Sequence, residues 1–236
     1  MRRHKRTVFV EKIEQSVRGS RGRGGSALSL RIKICGFTTE RGIDAAIELG
    51  VHAIGLVLDP SPRKLTIDRA AALKARVPKG VDVVAVCGRP STDELDEIVD
   101  SLQPDVIQLM ADAAVPAAMD ANWLFAFDDG PDLHKRIGEY VQSAEHEHPI
   151  VLVDGPQPGS GIPADWERVR ALHGDHRLII AGGLNAGNVG EAIRRLQPYG
   201  VDVCSGVESS VGVKDPDRMA AFVAAVRSAQ TPDPIP

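Results

Sequence analysis

The sequence predicts an α/β protein whose main part is a single (β/α)8 barrel, or TIM barrel. From Leu30 onward, short apolar runs rich in β-branched residues alternate with segments of helical periodicity, a pattern typical of repeated strand–helix units. Aromatic residues make up only 4% of the 236 residues, so the core must be mainly aliphatic, as it is in buried parallel strands. Eight such units fit within about 200 residues, which is near the lower size limit of a closed barrel.

The elements follow one another in regular order. The predicted strands cover residues 31–35, 53–58, 81–86, 106–109, 123–127, 150–154, 178–181 and 201–205. The predicted helices cover about 39–49, 66–76, 91–101, 113–120, 131–145, 164–173, 187–196 and 215–228. Hydroxyl side chains before acids, at Thr39-Glu40 and in Ser91-Thr92-Asp93-Glu94, indicate helix starts, and Gly50 sits where a helix would end. An open doubly wound sheet is the alternative fold, but no GxGxxG follows the first strand.

The net charge of −4 is unevenly distributed along the chain. Residues 1–26 carry eight basic and two acidic side chains, a balance of +6, which leaves −10 for the remainder. Because a Gly-, Ser- and Arg-rich segment cannot build a core, we predict a disordered basic tail over residues 1–28, a catalytic barrel over 29–229 and a disordered end over 230–236. A nucleic-acid-binding arm is the alternative for the tail. A solvated tail, or a translation start assigned too far upstream, is a simpler explanation of the basic segment, so no nucleic-acid partner is expected.

The composition argues against several classes of protein. The three cysteines are widely spaced and form no CxxC pair, so neither a disulfide framework nor a metal site is expected. No apolar run approaches the roughly 20 residues that a membrane-spanning helix needs, and the N-terminus lacks the apolar region of a secretory signal. We therefore expect a soluble cytoplasmic protein without a membrane partner, either a monomer or a homodimer.

Polar residues at the ends of the predicted strands are candidates for a functional site, because barrel enzymes build their sites there. Cys35 ends the first strand, and Lys33 lies two residues earlier on the same face, where its ammonium would lower the cysteine pKa. A buried packing thiol is the alternative for Cys35. In a closed barrel the last strand neighbours the first, so Asp202 is expected to support the site by pairing with Lys33. Cys87 and Cys204 are expected to be packing residues.

A second acid–base candidate, Asp154, ends the very apolar predicted strand 150–154. Desolvation there would keep its carboxyl group protonated, as a general acid requires, whereas a cap for the following loop is the structural alternative. Cys35 and Asp154 end different strands, so a substrate could lie between them.

Two glycine loops follow the last two predicted strands. Gly182 and Gly183 follow the seventh strand. Ser205 ends the eighth strand, and Gly206 follows it. Barrel enzymes often bind phosphate at these two loops through backbone N–H groups, and glycine permits the close approach. The sequence therefore predicts a phosphorylated substrate.

Several segments together resemble the phosphoribosylanthranilate isomerase family, in that family's order, between residues 31 and 228. The family catalyses an Amadori rearrangement in tryptophan biosynthesis. The matching segments are 33–38 (KICGFT), 61–63 (SPR), 105–109 (DVIQL), 151–154 (VLVD), 181–185 (AGGLN), and 201–209 (VDVCSGVES) with 212–215 (GVKD).

The resemblance implies a role for each candidate. Asp154 would protonate the ribose ring oxygen and open the ring to an imine, and Cys35 would take the C2′ proton to give an enolamine that tautomerises to the ketone. Arg63 would hold the anthranilate carboxylate. The small residues after the sixth strand add Gly159 and Gly161 to the phosphate-binding candidates. No cofactor is implied.

The chain departs from the family pattern at three positions. Met110 stands where the family usually has histidine, Ile162 where a lysine is expected, and Phe125 where many relatives have lysine. These departures bear on the pocket lining and leave two alternatives open. One is a related barrel that acts on a different phosphorylated sugar, and the other is a non-catalytic phosphate-ester binding protein, whose basic arm would meet nucleic acid.

Overall fold

The computed structural model describes residues 30–116, 119–143, 149–157, 159–172 and 176–230. Eight parallel strands close into a barrel in chain order, with β1 (Arg31–Cys35) hydrogen-bonded to both β2 (Ala53–Val57) and β8 (Gly200–Val203). This confirms the predicted (β/α)8 fold. The other strands are β3 (Asp82–Gly88), β4 (Val106–Met110), β5 (Trp123–Asp128), β6 (Ile150–Asp154) and β7 (Arg177–Ile180).

Seven α-helices of the described residues surround the barrel. They are α1 (Glu40–Glu48), α2 (Ile67–Lys74), α3 (Thr92–Glu97), α4 (Leu133–Ser143), α5 (Trp166–Arg170), α6 (Val189–Leu196) and α7 (Pro216–Gln230). A π-helical turn (Ile98–Leu102) continues α3, and a 3-10 turn (Ser205–Val207) and a small antiparallel hairpin, β9 (Glu208–Ser210) and β10 (Val213–Lys214), follow β8.

The helix starts and ends follow the local signals in the sequence. Thr39 accepts a hydrogen bond from the Gly42 amide at the start of α1, and Ser91 forms a reciprocal capping box with Glu94 at the start of α3. Gly50 has a φ of 68°, the left-handed conformation in which the chain leaves a helix.

The predicted helix over residues 113–120 is wrong. Residues 113–116, 119 and 120 form no helix, and 117–118 lie outside the described residues. Pro116 falls in the middle of this segment, where it has no amide hydrogen to donate and disfavours the helical conformation of Val115.

Two further predictions differ from the structure or fall outside it. The eighth strand ends at Val203, because the chain turns into the 3-10 segment at Ser205. The predicted disordered tail 1–28 lies outside the described residues, as do the ends of the predicted helices 131–145 and 164–173. Of the predicted disordered end 230–236, residues 231–236 also lie outside them, whereas Gln230 is the last residue of α7. Within the described ranges, no helix has the length and apolar character needed to cross a bilayer.

The barrel interior changes from apolar to polar towards the carboxyl ends of the strands. Aliphatic side chains such as Val84, Leu124 and Ile179 fill the lower part. Buried Lys33, Gln108 and Asp202 lie among the strands' inward-facing residues. Apolar side chains on the outer faces of the strands pack against the helices in a second, larger core. The polar groups are thereby concentrated at one mouth of the barrel.

Candidate active site

A cleft of about 430 Å³ opens at the carboxyl ends of the strands. All eight strands, or the loops that follow them, contribute to its walls. Lys33 lies just below the cleft, while Gly206 packs behind the wall. The predicted site residues that line the cleft are Cys35, Arg63, Asp154, Gly159, Gly161, Gly182, Gly183, Asp202 and Ser205.

Two glycines make room around the Cys35 thiol. A Cβ atom on Gly55 of β2 would lie 2.7 Å from Cys35 Sγ. A Cβ atom on Gly36 would lie 2.7 Å from Arg63 Cδ and 2.9 Å from Cys204 Sγ. Gly36 also has a φ of 79°, which other residues rarely adopt. The absence of side chains at these two positions therefore leaves room for the Cys35 and Cys204 thiols and for the Arg63 side chain.

The thiols of Cys35 and Cys204 both line the cleft, and Cys204 directly follows β8. The neighbouring Cys204 thiol and burial raise the pKa of Cys35 well above its ordinary value, although Lys33 opposes the shift as the sequence suggested. The pKa of Cys204 is lowered, because the Cys35 thiol is its neighbour and Lys214 Nζ lies 3.6 Å from its sulfur. Cys204 therefore lies in the cleft wall, contrary to the expectation of a packing residue, whereas Cys87 is buried in the outer core.

Lys33 and Asp202 pair across the seam where the barrel closes. Lys33 Nζ lies 2.7 Å from Asp202 Oδ2, and the two residues are register partners of β1 and β8. Burial disfavours the ammonium, but Asp202 and the two nearby thiols outweigh that cost and raise the pKa of Lys33. Lys33 therefore stays positively charged below Cys35.

Asp154 lies at the end of β6 on the wall of the cleft. Desolvation raises the pKa of its carboxyl group to about 6, although Oδ1 accepts a hydrogen bond from the Gly155 amide at 2.7 Å. The nearby carboxylate of Asp202 adds to this shift. The protonated form that a general acid requires is therefore far more populated than for an ordinary aspartate, and it makes up about a tenth of the molecules at pH 7.

Arg63 is buried in a cluster of charges between the loop after β2 and the hairpin after β8. Its Nε and Nη2 atoms each lie 2.8 Å from a carboxylate oxygen of Glu208, and Lys214 Nζ lies 2.8 Å from the same carboxylate. Two cations share one anion, so the cluster carries a net positive charge beside the cleft.

The glycines in the loops after β6, β7 and β8 hold these loops against one another. A Cβ atom on Gly182 would lie 2.4 Å from the Gly155 amide nitrogen, and one on Gly183 would lie 2.6 Å from the Gly161 carbonyl oxygen. A Cβ atom on Gly206 would meet the Leu184 carbonyl oxygen at 2.0 Å.

The glycine loops also leave backbone donors beside the cleft. No hydrogen bond of the described residues has the amide of Gly182 or Gly183 as its donor. Both residues line the cleft, whereas Gly206 is not part of the described lining and acts in loop packing.

The three departures from the family pattern differ in where they lie. Met110 lines the cleft at the end of β4. Phe125 instead faces the helix layer, with its ring centroid 5.2 Å from that of Tyr140, because side chains alternate along β5 and Ala126 faces the cleft. Ile162 is 47% exposed. The expectation that Phe125 alters the pocket lining is therefore wrong.

The fold also brings to the site several residues that carry no local signal in the sequence. Gln108 lines the cleft, and its buried Oε1 atom has no hydrogen-bond partner among the described residues. Glu208 and Lys214 lie within segments that resemble the family, yet nothing local marks Glu208 as the partner of Arg63, 145 residues earlier, or Lys214 as a second donor to Glu208. Within the described ranges, no group of three or more His, Cys, Asp or Glu side chains is arranged to hold a metal ion.

Comparisons with known proteins agree on one family. A family model described as N-(5'phosphoribosyl)anthranilate (PRA) isomerase matches residues 32–225. The N-(5'-phosphoribosyl)anthranilate isomerase of Chromohalobacter salexigens is 39% identical over 211 residues, which cover 86% of this chain and 96% of that protein.

Two solved structures are similar over most of the chain. TrpF from Jonesia denitrificans has a TM-score of 0.71 and 35% identity, covering 85% of this chain and 98% of that one. A phosphoribosyl anthranilate isomerase in complex with reduced 1-(o-carboxyphenylamino)-1-deoxyribulose 5-phosphate has a TM-score of 0.70 and 25% identity, covering 84% and 99%.

Proposed function

The chain belongs to the N-(5'-phosphoribosyl)anthranilate isomerase family, and we propose that it converts this substrate to the 1-deoxyribulose phosphate product in tryptophan biosynthesis. The observation that carries the proposal is that Cys35 and Asp154, from β1 and β6, line one cleft together with the glycine loops after β6 and β7. An acid, a base and a phosphate-binding wall are the parts that an Amadori rearrangement needs.

The reaction begins with ring opening. Asp154 in its protonated form, which desolvation favours, donates that proton to the ribose ring oxygen; the nitrogen lone pair forms the C1′=N bond as the C1′–O bond breaks, which gives a protonated imine. The proton supplied to the leaving oxygen avoids the formation of an alkoxide in the apolar wall.

Proton abstraction follows at C2′. Cys35 as a thiolate removes the C2′ proton, and the electrons form the C1′–C2′ double bond while the C1′–N π pair returns to nitrogen, which gives a neutral enolamine. The enolamine becomes the ketone as the Cys35 thiol returns a proton to C1′ and the C2′ hydroxyl proton passes to Asp154, so that the acid and the base are both restored. Lys33 below the thiol favours the negative charge at Cys35 during this step. Proton transfers alone complete the isomerisation, so no cofactor is proposed.

The two ends of the substrate would be held at opposite sides of the cleft. Glu208 occupies the Nε and Nη2 atoms of Arg63, which leaves Nη1 for the anthranilate carboxylate. The amides of Gly182 and Gly183 and the hydroxyl of Ser205 would bind the phosphate, as donors without internal acceptors do in other phosphate sites. Gly159 and Gly161 line the same side.

The compartment proposed is the cytoplasm. Cys35, Cys87 and Cys204 are all free thiols, and the mechanism requires Cys35 in its reduced form.

Turnover of N-(5'-phosphoribosyl)anthranilate is tested by the loss of its fluorescence with purified protein, beside complementation of a strain that lacks the isomerase. We expect turnover by the wild-type protein, and loss of turnover with nearly unchanged substrate binding in Cys35→Ser. Cys87→Ser is the matched control, because it changes a buried thiol outside the cleft and should keep its activity.

Two results would contradict the proposal. Undiminished turnover by Cys35→Ser would remove Cys35 from the mechanism. Binding of phosphate esters by the wild-type protein without turnover would instead favour a different phosphorylated sugar as substrate. Met110 supports this alternative, because it lies in the cleft wall where the family usually has histidine.

A further inference from the structure

Gln108 brings a polar side chain into the barrel below the ends of the strands. On β4, the residues two positions before and after it, Val106 and Met110, pack with the inner core of the barrel, whereas Ile107 packs in the outer core. Because side chains alternate along a strand, Gln108 also faces inward, and it lines the cleft two residues before the end of β4. Its side-chain amide therefore lies on the floor of the cleft.

The neighbours of Gln108 offer this amide no partner. Its register partners on the adjacent strands, Val86 of β3 and Leu124 of β5, both carry apolar side chains. Gln108 is only 9% exposed and its Oε1 atom is buried, yet neither polar atom of the side chain takes part in a hydrogen bond within the described ranges. A buried amide without a hydrogen bond lowers stability, so its position in the wall of a cleft points to a ligand that completes it.

The proposed substrate has one polar group that is still without a partner in the cleft. Its carboxylate goes to Arg63, its phosphate to the glycine loops, and its ring oxygen and C2′ hydroxyl to Asp154 in the mechanism above. The amine N–H is ortho to the carboxylate on the same aromatic ring, and it donates a hydrogen bond to that carboxylate within the molecule. The hydroxyl at C3′ of the ribose remains.

A hydroxyl group suits the Gln108 amide in chemistry and in place. It can donate to the buried Oε1 atom and accept from Nε2, whereas a carboxylate or an ionised phosphate offers acceptors only. Cys35 and Asp154 act on the ribose from the ends of β1 and β6, so the sugar is the part of the substrate that lies over the cleft floor. Arg63, which would hold the aromatic part, lies instead on the loop after β2.

We propose that Gln108 binds the C3′ hydroxyl of the ribose through its side-chain amide and so selects a sugar phosphate that carries this hydroxyl. The proposal rests on the proposed function for the identity of the sugar, while the contact itself can be measured without turnover. Failure of turnover with this contact intact would therefore contradict the proposed function alone.

The binding test uses Gln108→Met, which removes both polar atoms from a side chain of nearly the same length and volume. We expect the dissociation constant of ribose 5-phosphate, measured by calorimetry, to rise about tenfold, the effect of losing one neutral hydrogen bond. The dissociation constant of 2-deoxyribose 5-phosphate, which keeps the C3 hydroxyl, should rise by the same factor, and that of inorganic phosphate should stay unchanged. Gln142→Met is the matched control, because Gln142 is exposed on α4, and it should bind all three ligands as the wild-type protein does.

Several results of this titration would overturn the proposal. Unchanged affinity for ribose 5-phosphate in Gln108→Met, or a wild-type protein that binds it no better than inorganic phosphate, would show that the amide does not contact the sugar. A loss confined to ribose 5-phosphate would place the C2 hydroxyl at Gln108 instead. An equal loss for inorganic phosphate would indicate general damage to the cleft.

Thermal melting without ligand separates a binding role from a structural one. Gln108→Met removes a buried polar group that has no partner, so we expect its melting temperature to rise by about 2–4 °C. Gln142→Met should melt as the wild-type protein does. A lower melting temperature in Gln108→Met, or its failure to fold, would show that the amide supports the fold and would overturn the proposal.

Discussion

Desolvation raises the pKa of Asp154 to about 6, because the side chain lies at the end of an apolar strand and mostly out of water. The ordinary value is 3.8, so the folded protein binds this proton more tightly than the unfolded chain does. Stability is therefore lost as pH rises from 3.8 through 6, since the carboxylate must be buried without a cation directly beside it.

The variant Asp154→Asn should show separately how much this carboxyl group contributes to turnover and how much its burial lowers the stability of the protein. We expect turnover to fall by about 10²–10⁴-fold, the usual contribution of a general acid. At pH 8 the variant should be more stable than the wild-type protein, by up to about 3 kcal/mol, because each pKa unit corresponds to about 1.4 kcal/mol. Thermal melting at pH 4 and pH 8 measures this, and the gain should vanish at pH 4. Equal stability at both pH values would contradict the account.

The loops after β6, β7 and β8 form one unit because their backbones meet where glycine has no side chain. Gly182 has a φ of 77° and lies so close to the loop after β6 that a Cβ atom would be 2.9 Å from Asp154 Oδ1. The same contact therefore places the phosphate-binding candidates and the general acid relative to one another.

Gly182→Ala should damage both functions of this unit. The added methyl group would displace Asp154 or the loop after β7, so we expect KM to rise and kcat to fall, each several-fold, in steady-state kinetics. Gly80→Ala is the matched control, because Gly80 also has a positive φ, of 99°, but nothing lies within 4 Å of its Cβ position. It should cost about 1–2 kcal/mol of stability with normal kinetics. Equal kinetic losses in both variants would indicate that backbone strain alone is responsible.

At the scale of the whole molecule, the seam between β1 and β8 closes the barrel and holds the site together. The Lys33–Asp202 pair crosses this seam, with both side chains almost completely buried. Because this pair lies directly below Cys35, closure of the barrel also determines which charges surround the base.

Asp202→Asn should destabilise the protein by about 3–5 kcal/mol, because it leaves the buried ammonium of Lys33 without its counter-charge. The free energy of unfolding in urea is the measurement. Asp44→Asn is the control, since the Asp44–Arg76 pair has the same 2.7 Å separation but is about half exposed, and it should cost at most about 1 kcal/mol. Similar losses in the two variants would show that the buried pair has no special role in closure.

The sequence by itself determined the strand–helix alternation and the positions of Cys35 and Asp154 at strand ends, since these depend on local periodicity and on residues within one element. It failed for residues 113–120, where helical composition was outweighed by Pro116.

Only the tertiary structure decided which distant groups meet. Cys204 lines the same cleft as Cys35, Glu208 accepts hydrogen bonds from Arg63, and Phe125 faces away from the cleft, because closure of the barrel and the rotation of each strand set these relations. The pKa values of the acid and the thiols depend on burial and on neighbours far apart in the chain, and for that reason they follow from the fold rather than from any local motif.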